Sequence, residues 1–170
     1  MVARKTIDEL LAQSRAGLVR VEPHEVPHAI RGGALLIDIR SESQRAADGT
    51  VPGALWVARN VLEWRCDPSC AAHDDRVGDL ARHVIVMCDE GYQSSLAAAT
   101  LQELGFGRAT DLVGGFRAWR AAGLPVAPSW GRRAPAVSAI EVRCRAAYFR
   151  RERQLGQPPE VLLVVADQQR

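Results

Sequence analysis

Val84-Ile85-Val86-Met87 is a short apolar run, mostly β-branched, and the residue that ends it is Cys88. Such a run reads as a strand buried on both faces, the form that strands take in parallel sheets. Cys88-Asp89-Glu90-Gly91-Tyr92-Gln93-Ser94-Ser95 follows, and then Leu96-Ala97-Ala98-Ala99-Thr100-Leu101. This last segment has helix-forming residues at helical spacing, and Gly105 beyond it can act as a left-handed cap. A buried strand that enters a helix through one short loop needs an α/β layer arrangement to cover it. The loop then aims the helix N-terminal amides, with their positive dipole, back at the cysteine sulfur. That setting favours the nucleophilic thiolate. The alternative is that Cys88 is a small core residue at a strand end, as many free cysteines are.

The rest of the chain is compatible with one such domain. Its 170 residues are 47% hydrophobic and 25% charged, a globular composition with room for a sizeable core. No apolar run approaches the roughly 20 residues that span a bilayer, so no membrane partner is expected. Met1 to Lys5 is basic, but Ile7 to Ala16 is amphipathic, which is not the form of a secretory leader. Four cysteines (Cys66, Cys70, Cys88 and Cys144) make no disulfide framework, and a reducing, cytoplasmic setting is expected. Charge is uneven. Residues 127–170 hold eight arginines and four acids, a balance of +4 against a total of +2, which leaves about −2 for residues 1–126. This shift puts a boundary near Pro125–Pro128.

Read in order, Thr6-Ile7-Asp8-Glu9 is a capping box that opens a helix ending near Gly17. Leu18 to Val21 reads as a strand. Pro23 starts a short helix through Ala29 and Ile30, stopped by Gly32-Gly33. Ala34 to Arg40 is the next buried strand, with Asp38 and Arg40 at its C-terminal end, where open α/β sheets bind ligands. Ser41 to Gly49 is a short helix or loop. Val51-Pro52-Gly53 is a turn, and Ala54 to Ala58 a short strand. Residues 59–80 read as a long connection with some helix. Ala109 to Val113 is a fifth strand, Gly114-Gly115 a turn, and Phe116 to Ala122 a helix capped by Gly123. Strands alternating with helices predict a parallel sheet with helices on both faces.

Four patterns in this order carry a resemblance. Leu36-Ile37-Asp38-Ile39-Arg40, Val51-Pro52-Gly53-Ala54, the Cys88–Ser95 loop, and Gly114-Gly115-Phe116-Arg117-Ala118-Trp119 with Gly123-Leu124-Pro125-Val126 resemble a single-domain rhodanese over residues 18–126. The resemblance implies a five-stranded parallel sheet and a sulfurtransferase whose cysteine, here Cys88, carries sulfane sulfur as a persulfide. It implies that Asp89, Glu90, Gly91, Tyr92, Gln93 and Ser94 form the loop around that sulfur. Residues 1–17 would be an N-terminal helix packed on the domain, and residues 127–170 a basic C-terminal extension. Gly91 permits a tight loop, and Ser94 and Ser95 can donate hydroxyl hydrogen bonds or cap the helix. Asp38 and Arg40 are supporting residues: a polar brace behind the loop, an anion contact by Arg40, or, as the blander reading, a structural ion pair. The donor would be a small molecule or a protein persulfide, and the acceptor a thiol or a cyanide-like nucleophile, with no cofactor. Rhodaneses that use thiosulfate commonly carry a basic residue in the loop, whereas this loop carries Asp89 and Glu90. Two exposed carboxylates at the mouth repel a dianion by on the order of 1 kcal/mol each. Thr50 stands where such proteins often have a histidine.

Other features have blander readings. Cys66-Asp67-Pro68-Ser69-Cys70, with His73, lacks a second ligand pair, so solvent-facing loop cysteines are expected rather than a metal site or a disulfide. A sulfur relay from Cys88 to one of them is the sharper alternative. Arg143 to Arg153, around Tyr148 and Phe149, suggest an amphipathic helix docking by its apolar face rather than a nucleic-acid surface, and Val161 to Val165 an edge strand. Two rival functions remain. A phosphatase or arsenate reductase needs an arginine six positions after the cysteine to grip its oxyanion, and that position is Ser94. A catalytically idle, partner-binding module would not need Cys88 or Gly91.

Overall fold

The structure is a computed structural model that describes residues 4–129 of the chain; the readings for Arg143–Arg153 and Val161–Val165 lie outside the described residues. In chain order the elements are α1 (Ile7–Ala16), α2 (Val26–Arg31), β1 (Leu35–Asp38), α3 (Glu42–Asp48) and β2 (Leu55–Trp56). A 3₁₀ turn (Arg59–Val61) leads into α4 (Leu62–Cys66), followed by β3 (Val84–Met87), α5 (Gln93–Glu103), β4 (Ala109–Asp111) and α6 (Gly115–Ala121). The strands form one parallel sheet in the order β2-β1-β3-β4.

The period-two alternation of side chains splits the core in two. Ile37, Val84 and Val86 face one side and pack with Leu62 of α4 and Ala97, Ala98 and Leu101 of α5. Leu36, Ile85 and Met87 face the other and pack with Val26 of α2 and Phe116 and Trp119 of α6. Helices therefore cover both faces, and the all-apolar run of β3 is explained: each of its residues is fully buried. Burying a leucine such as Leu101 contributes about 1.5–3 kcal/mol. Asp38 lies opposite Met87 in the β1–β3 register, so Cys88 emerges at the C-terminal edge of a central strand.

Among the described residues the sheet has four strands, one fewer than the resemblance implies. The segment from Leu18 to Val21 is what falls short. Val21 alone pairs, its amide donating to the Asp111 carbonyl at 3.0 Å and its carbonyl accepting from Val113 at 2.9 Å. Before it, the Val19 carbonyl takes the Thr110 hydroxyl and the Leu18 amide donates to the Arg15 carbonyl at the end of α1, so neither group joins a ladder. Pro23, just beyond, has no N–H to extend the ladder. The second helix also differs: it starts at Val26 rather than Pro23, with Pro27 in its first turn, where a missing N–H is harmless. Thr6 and Glu9 close the reciprocal capping box of α1. Ser41 and Gln44 do the same for α3, which settles Ser41 to Gly49 as a helix.

Candidate active site

Cys88 sits at the base of a cleft of about 330 Å³ bordered by Arg40, Gln44, Glu90, Tyr92, Gln93 and Arg117. It is 5% exposed. Its Sγ accepts from the Gly91 amide at 3.1 Å and the Ser94 amide at 3.4 Å, and lies 3.3 Å from Ser94 Oγ. Two backbone amides thus converge on one sulfur with a hydroxyl beside it, and the helix dipole of α5 points the same way. The loop can do this because Gly91 has φ +82°, a left-handed conformation, and because a Cβ there would come within 2.9 Å of the Gly114 amide. The two serines do not cap α5. Its N-cap is Tyr92, without a side-chain hydrogen bond, and Ser94 and Ser95 turn inward from the first helical turn.

The loop is held from outside. The amides of Phe116 and Arg117, at the start of α6, donate to the carbonyls of Cys88 at 2.8 Å and Asp89 at 3.0 Å. This approach needs Gly115, where a Cβ would lie 2.5 Å from the Cys88 oxygen. The Arg117 guanidinium spans both acids of the loop, 2.9 Å from Asp89 and 2.6 Å from Glu90. The mouth is therefore not the bare acidic pair read from sequence, since a cation from another helix partly neutralises it. Underneath, Ser95 Oγ lies 2.7 Å from Asp111, whose carboxylate also receives both arms of Arg20 at 2.9 Å. Arg20 is thereby held above its already high ordinary pKa, chiefly by the Asp111 hydrogen bond.

Asp38 and Arg40 form a buried ion pair. The Arg40 guanidinium is bidentate on Asp38, donates to the Gly49 carbonyl at 2.9 Å, and stacks 3.5 Å above the Phe116 ring. Its side chain is enclosed but lines the cleft, and its Nη1 has no hydrogen-bond partner among the described residues. Breaking a buried pair of this kind by removing one partner costs about 3–5 kcal/mol. Arg15, Arg20, Asp111 and Arg117 belong to this constellation and escaped the sequence reading, because each acts on a residue between 16 and 91 positions away.

Cys66 and Cys70 are not a solvent-facing pair. Cys66 is fully buried at the end of α4, because that turn packs its last residue into the core with Leu62. Burial pushes its thiol up to about 12, with Glu63 and Asp74 adding to the shift. Cys70 is partly exposed, and its sulfur accepts from the Ala72 amide at 3.4 Å. His73 is engaged by the Cys70 carbonyl and Asp75. Among the described residues no group of three or more His, Cys, Asp or Glu side chains is placed to hold a metal.

The sequence profile of the rhodanese-like domain matches residues 22–122, so this chain belongs to the rhodanese-like family. The thiosulfate sulfurtransferase GlpE of Stutzerimonas stutzeri is 35% identical over 99 residues, covering 58% of this chain and 82% of its own. The human thiosulfate:glutathione sulfurtransferase is 30% identical over 95 residues, covering 52% and 80%. A solved Rhodopseudomonas palustris protein of unknown function, described as a possible tyrosine phosphatase, superposes with a TM-score of 0.68 at 25% identity, over 75% of this chain and 98% of that one. The family is thus one of sulfurtransferases. No helix among the described residues is long and apolar enough to cross a membrane.

Proposed function

We propose that Cys88 is the sulfur-carrying nucleophile of a rhodanese-type sulfurtransferase. The observation that carries this reading is the ring of polar groups around Sγ: two backbone amides within 3.4 Å and the Ser94 hydroxyl at 3.3 Å. In the first half-reaction the Cys88 thiolate attacks the outer sulfur of a donor such as thiosulfate. A Cys88 S–S bond forms, the donor's S–S bond breaks, and sulfite leaves with the bonding electrons. In the second, an acceptor thiolate attacks the outer sulfur of the persulfide and leaves as a persulfide itself, returning Cys88 as thiolate. Glutathione fits as acceptor by analogy with the human relative's name. The amides of residues 91–94 stabilise the negative terminal sulfur between the two steps. A low-molecular-weight thiol or cyanide-like nucleophile reaches the sulfur past Tyr92, which is 55% exposed at the mouth.

The Asp89–Glu90–Arg117 cluster bears on the donor. With Arg117 closed on both carboxylates, the mouth carries one net negative charge instead of two. Thiosulfate is therefore a workable donor, and the two relatives named for it agree. The phosphatase reading lacks its cation: six positions after Cys88 the side chain is the Ser94 hydroxyl, turned onto the sulfur.

The test is intact-mass spectrometry after incubation with thiosulfate, mercaptopyruvate or a cysteine desulfurase in turn. One added sulfur is expected in the wild type, removed by glutathione and absent in Cys88→Ser. If every donor leaves the mass unchanged, the protein is an idle module. Loading that persists in Cys88→Ser would move the sulfur to another residue.

A further inference from the structure

We propose that Arg15, on α1 and before the family-matched residues 22–122, is a positioning residue for the Cys88 loop. This rests on the sulfur-carrier reading for its functional meaning and on geometry for everything else. Arg15 Nη2 donates to the Gly91 carbonyl at 2.9 Å and Nε to Ser95 Oγ at 3.1 Å, while its guanidinium lies 5.6 Å from the centre of the Tyr92 ring. One side chain from the N-terminal helix therefore touches three of the residues that shape the loop.

The charges around the sulfur single Arg15 out. Asp38 is paired with Arg40, Asp111 with Arg20, and Asp89 and Glu90 with Arg117. Arg15 has no carboxylate partner among the described residues, and its donors go to a carbonyl and a hydroxyl of the loop. A proton count explains the need. Ser95 Oγ lies 2.9 Å from the Gly91 carbonyl and 2.7 Å from Asp111 Oδ2, but it has one hydrogen to give. With Arg15 serving the Gly91 carbonyl, that hydrogen goes to Asp111 and both buried acceptors are satisfied. Without Arg15, the single Ser95 hydrogen is drawn from Asp111, which keeps Arg20, to the Gly91 carbonyl, and the peptide that follows Gly91 loses its guanidinium anchor. Gly91 supplies the nearest amide to Sγ, at 3.1 Å, and it is the loop's most permissive residue. Arg15 compensates for that permissiveness from outside the domain's family-defining region.

The same packing gives α1 its purpose. α1 packs on α5, and Arg15 and Ser95 meet across that contact. The helix joins the cysteine loop to the Arg20–Asp111 pair, so residues 7–20 act with the site as one scaffold.

The experiment uses the full chain with Arg15→Ala and Arg15→Lys. Three quantities are read: the initial rate of sulfur loading from thiosulfate, the pH profile of Cys88 alkylation by iodoacetamide, and the thermal midpoint. Arg15→Ala is expected to slow loading about tenfold, since small misplacements of reacting groups have effects of that order or larger. Its alkylation profile moves to higher pH, because the amides no longer hold their aim at the sulfur. The thermal midpoint stays within about 4 °C of wild type. Arg15→Lys, with one point donor in place of a fork, restores part of both kinetic effects. Wild-type loading and alkylation in Arg15→Ala would overturn the proposal. So would a loss in both variants that tracks the fall in midpoint, because that marks a purely structural role. If Arg15→Ala does not fold, Arg15→Lys decides on the same readouts. If the wild type loads no sulfur, the function proposed above fails, while the alkylation profile still decides the role of Arg15.

Discussion

Cys66 and Cys88 share one apolar cluster and nearly the same burial, 0% and 5% exposed, yet their surroundings are opposite. Cys66 ends a helix where no hydrogen-bond donor reaches it among the described residues, and two nearby carboxylates join burial in holding its proton. Cys88 ends a strand and meets two amides and a hydroxyl. Burial by itself makes a thiol inert, because the anion loses water and gains nothing. What separates a structural cysteine from a nucleophile is whether the fold replaces that water with oriented dipoles. In this chain the replacement comes from a loop that is itself held by α1, α6 and β4.

The most damaging way to erase the difference is to break the grip of α6 on the loop. Gly115→Ala places a Cβ 2.5 Å from the Cys88 carbonyl and 2.7 Å from Asp89, at a φ of +61°. The strain and clash should destabilise the domain by about 3 kcal/mol. Sulfur loading should fall more than about a hundredfold as the amides lose their aim. Urea denaturation and mass-resolved loading on the same sample check both. Normal loading with intact stability would mean that the loop holds its shape without α6.

Ser94→Ala makes the Cys88 environment resemble that of Cys66 by one step only. The hydroxyl at 3.3 Å goes, while the amides of Gly91 and Ser94 remain. Loading should slow about tenfold, less than the loss of a full oxyanion donor because both amides persist. Stability to urea should change by less than about 1 kcal/mol. A larger effect on stability than on rate would reassign Ser94 to packing.

Arg117 sharpens the comparison at the mouth rather than at the sulfur. Arg117→Ala leaves Asp89 and Glu90 without their shared cation. The KM for thiosulfate should rise about fivefold, in line with exposed charge effects near 1 kcal/mol, with kcat nearly unchanged. Removing the acids instead, with Asp89→Asn and Glu90→Gln together, should lower it. High salt should shrink both shifts. Equal KM values across these variants for thiosulfate would show that the donor never feels this cluster.

The strand, loop and helix around Cys88 were legible because each is a local pattern. Val84 to Met87 has the residues of a doubly buried strand, Gly91 allows the turn, and Gly105, at φ +100°, ends the helix as its position predicts. Thr6 and Glu9 were legible for the same reason. What escaped is long-range. Nothing in the sequence near Asp89 announces that Arg117, 28 residues on, will neutralise it, nor that Arg15 will reach across 76 residues to Gly91. The roles of the serines also escaped, because a hydroxyl that caps a helix and one that faces inward have the same sequence context. Leu18 to Val21 has strand propensity, but its Val19 carbonyl goes to the Thr110 hydroxyl and its Leu18 amide to the end of α1. Cys66 misled because its spacing from Cys70 suggested a loop motif, whereas its position one turn after Leu62 is the core face of a helix.

The smallest expected effect on activity is at the other cysteine. Cys66→Ala should leave sulfur loading and turnover within about twofold of wild type, since Cys66 contacts none of the donors around Cys88. A marked loss of turnover would revive a relay between the two thiols. The informative readout is alkaline stability. In the unfolded chain the Cys66 thiol titrates near 9.0, and burial in the folded protein pushes it up to about 12. Below pH 9 both states keep the proton and the group is neutral in stability terms. Above it the unfolded state loses a proton that the folded state retains, so stability falls as pH rises from 9 towards 12. Cys66→Ala removes that contribution, and its stability should fall less steeply across the same window in parallel urea titrations. Iodoacetamide gives the matching chemical contrast: at pH 8 it should modify Cys88 in the native protein and reach Cys66 only after unfolding. Native labelling of Cys66 at a rate like that of Cys88 would mean that the two thiols are not distinguished by their polar partners.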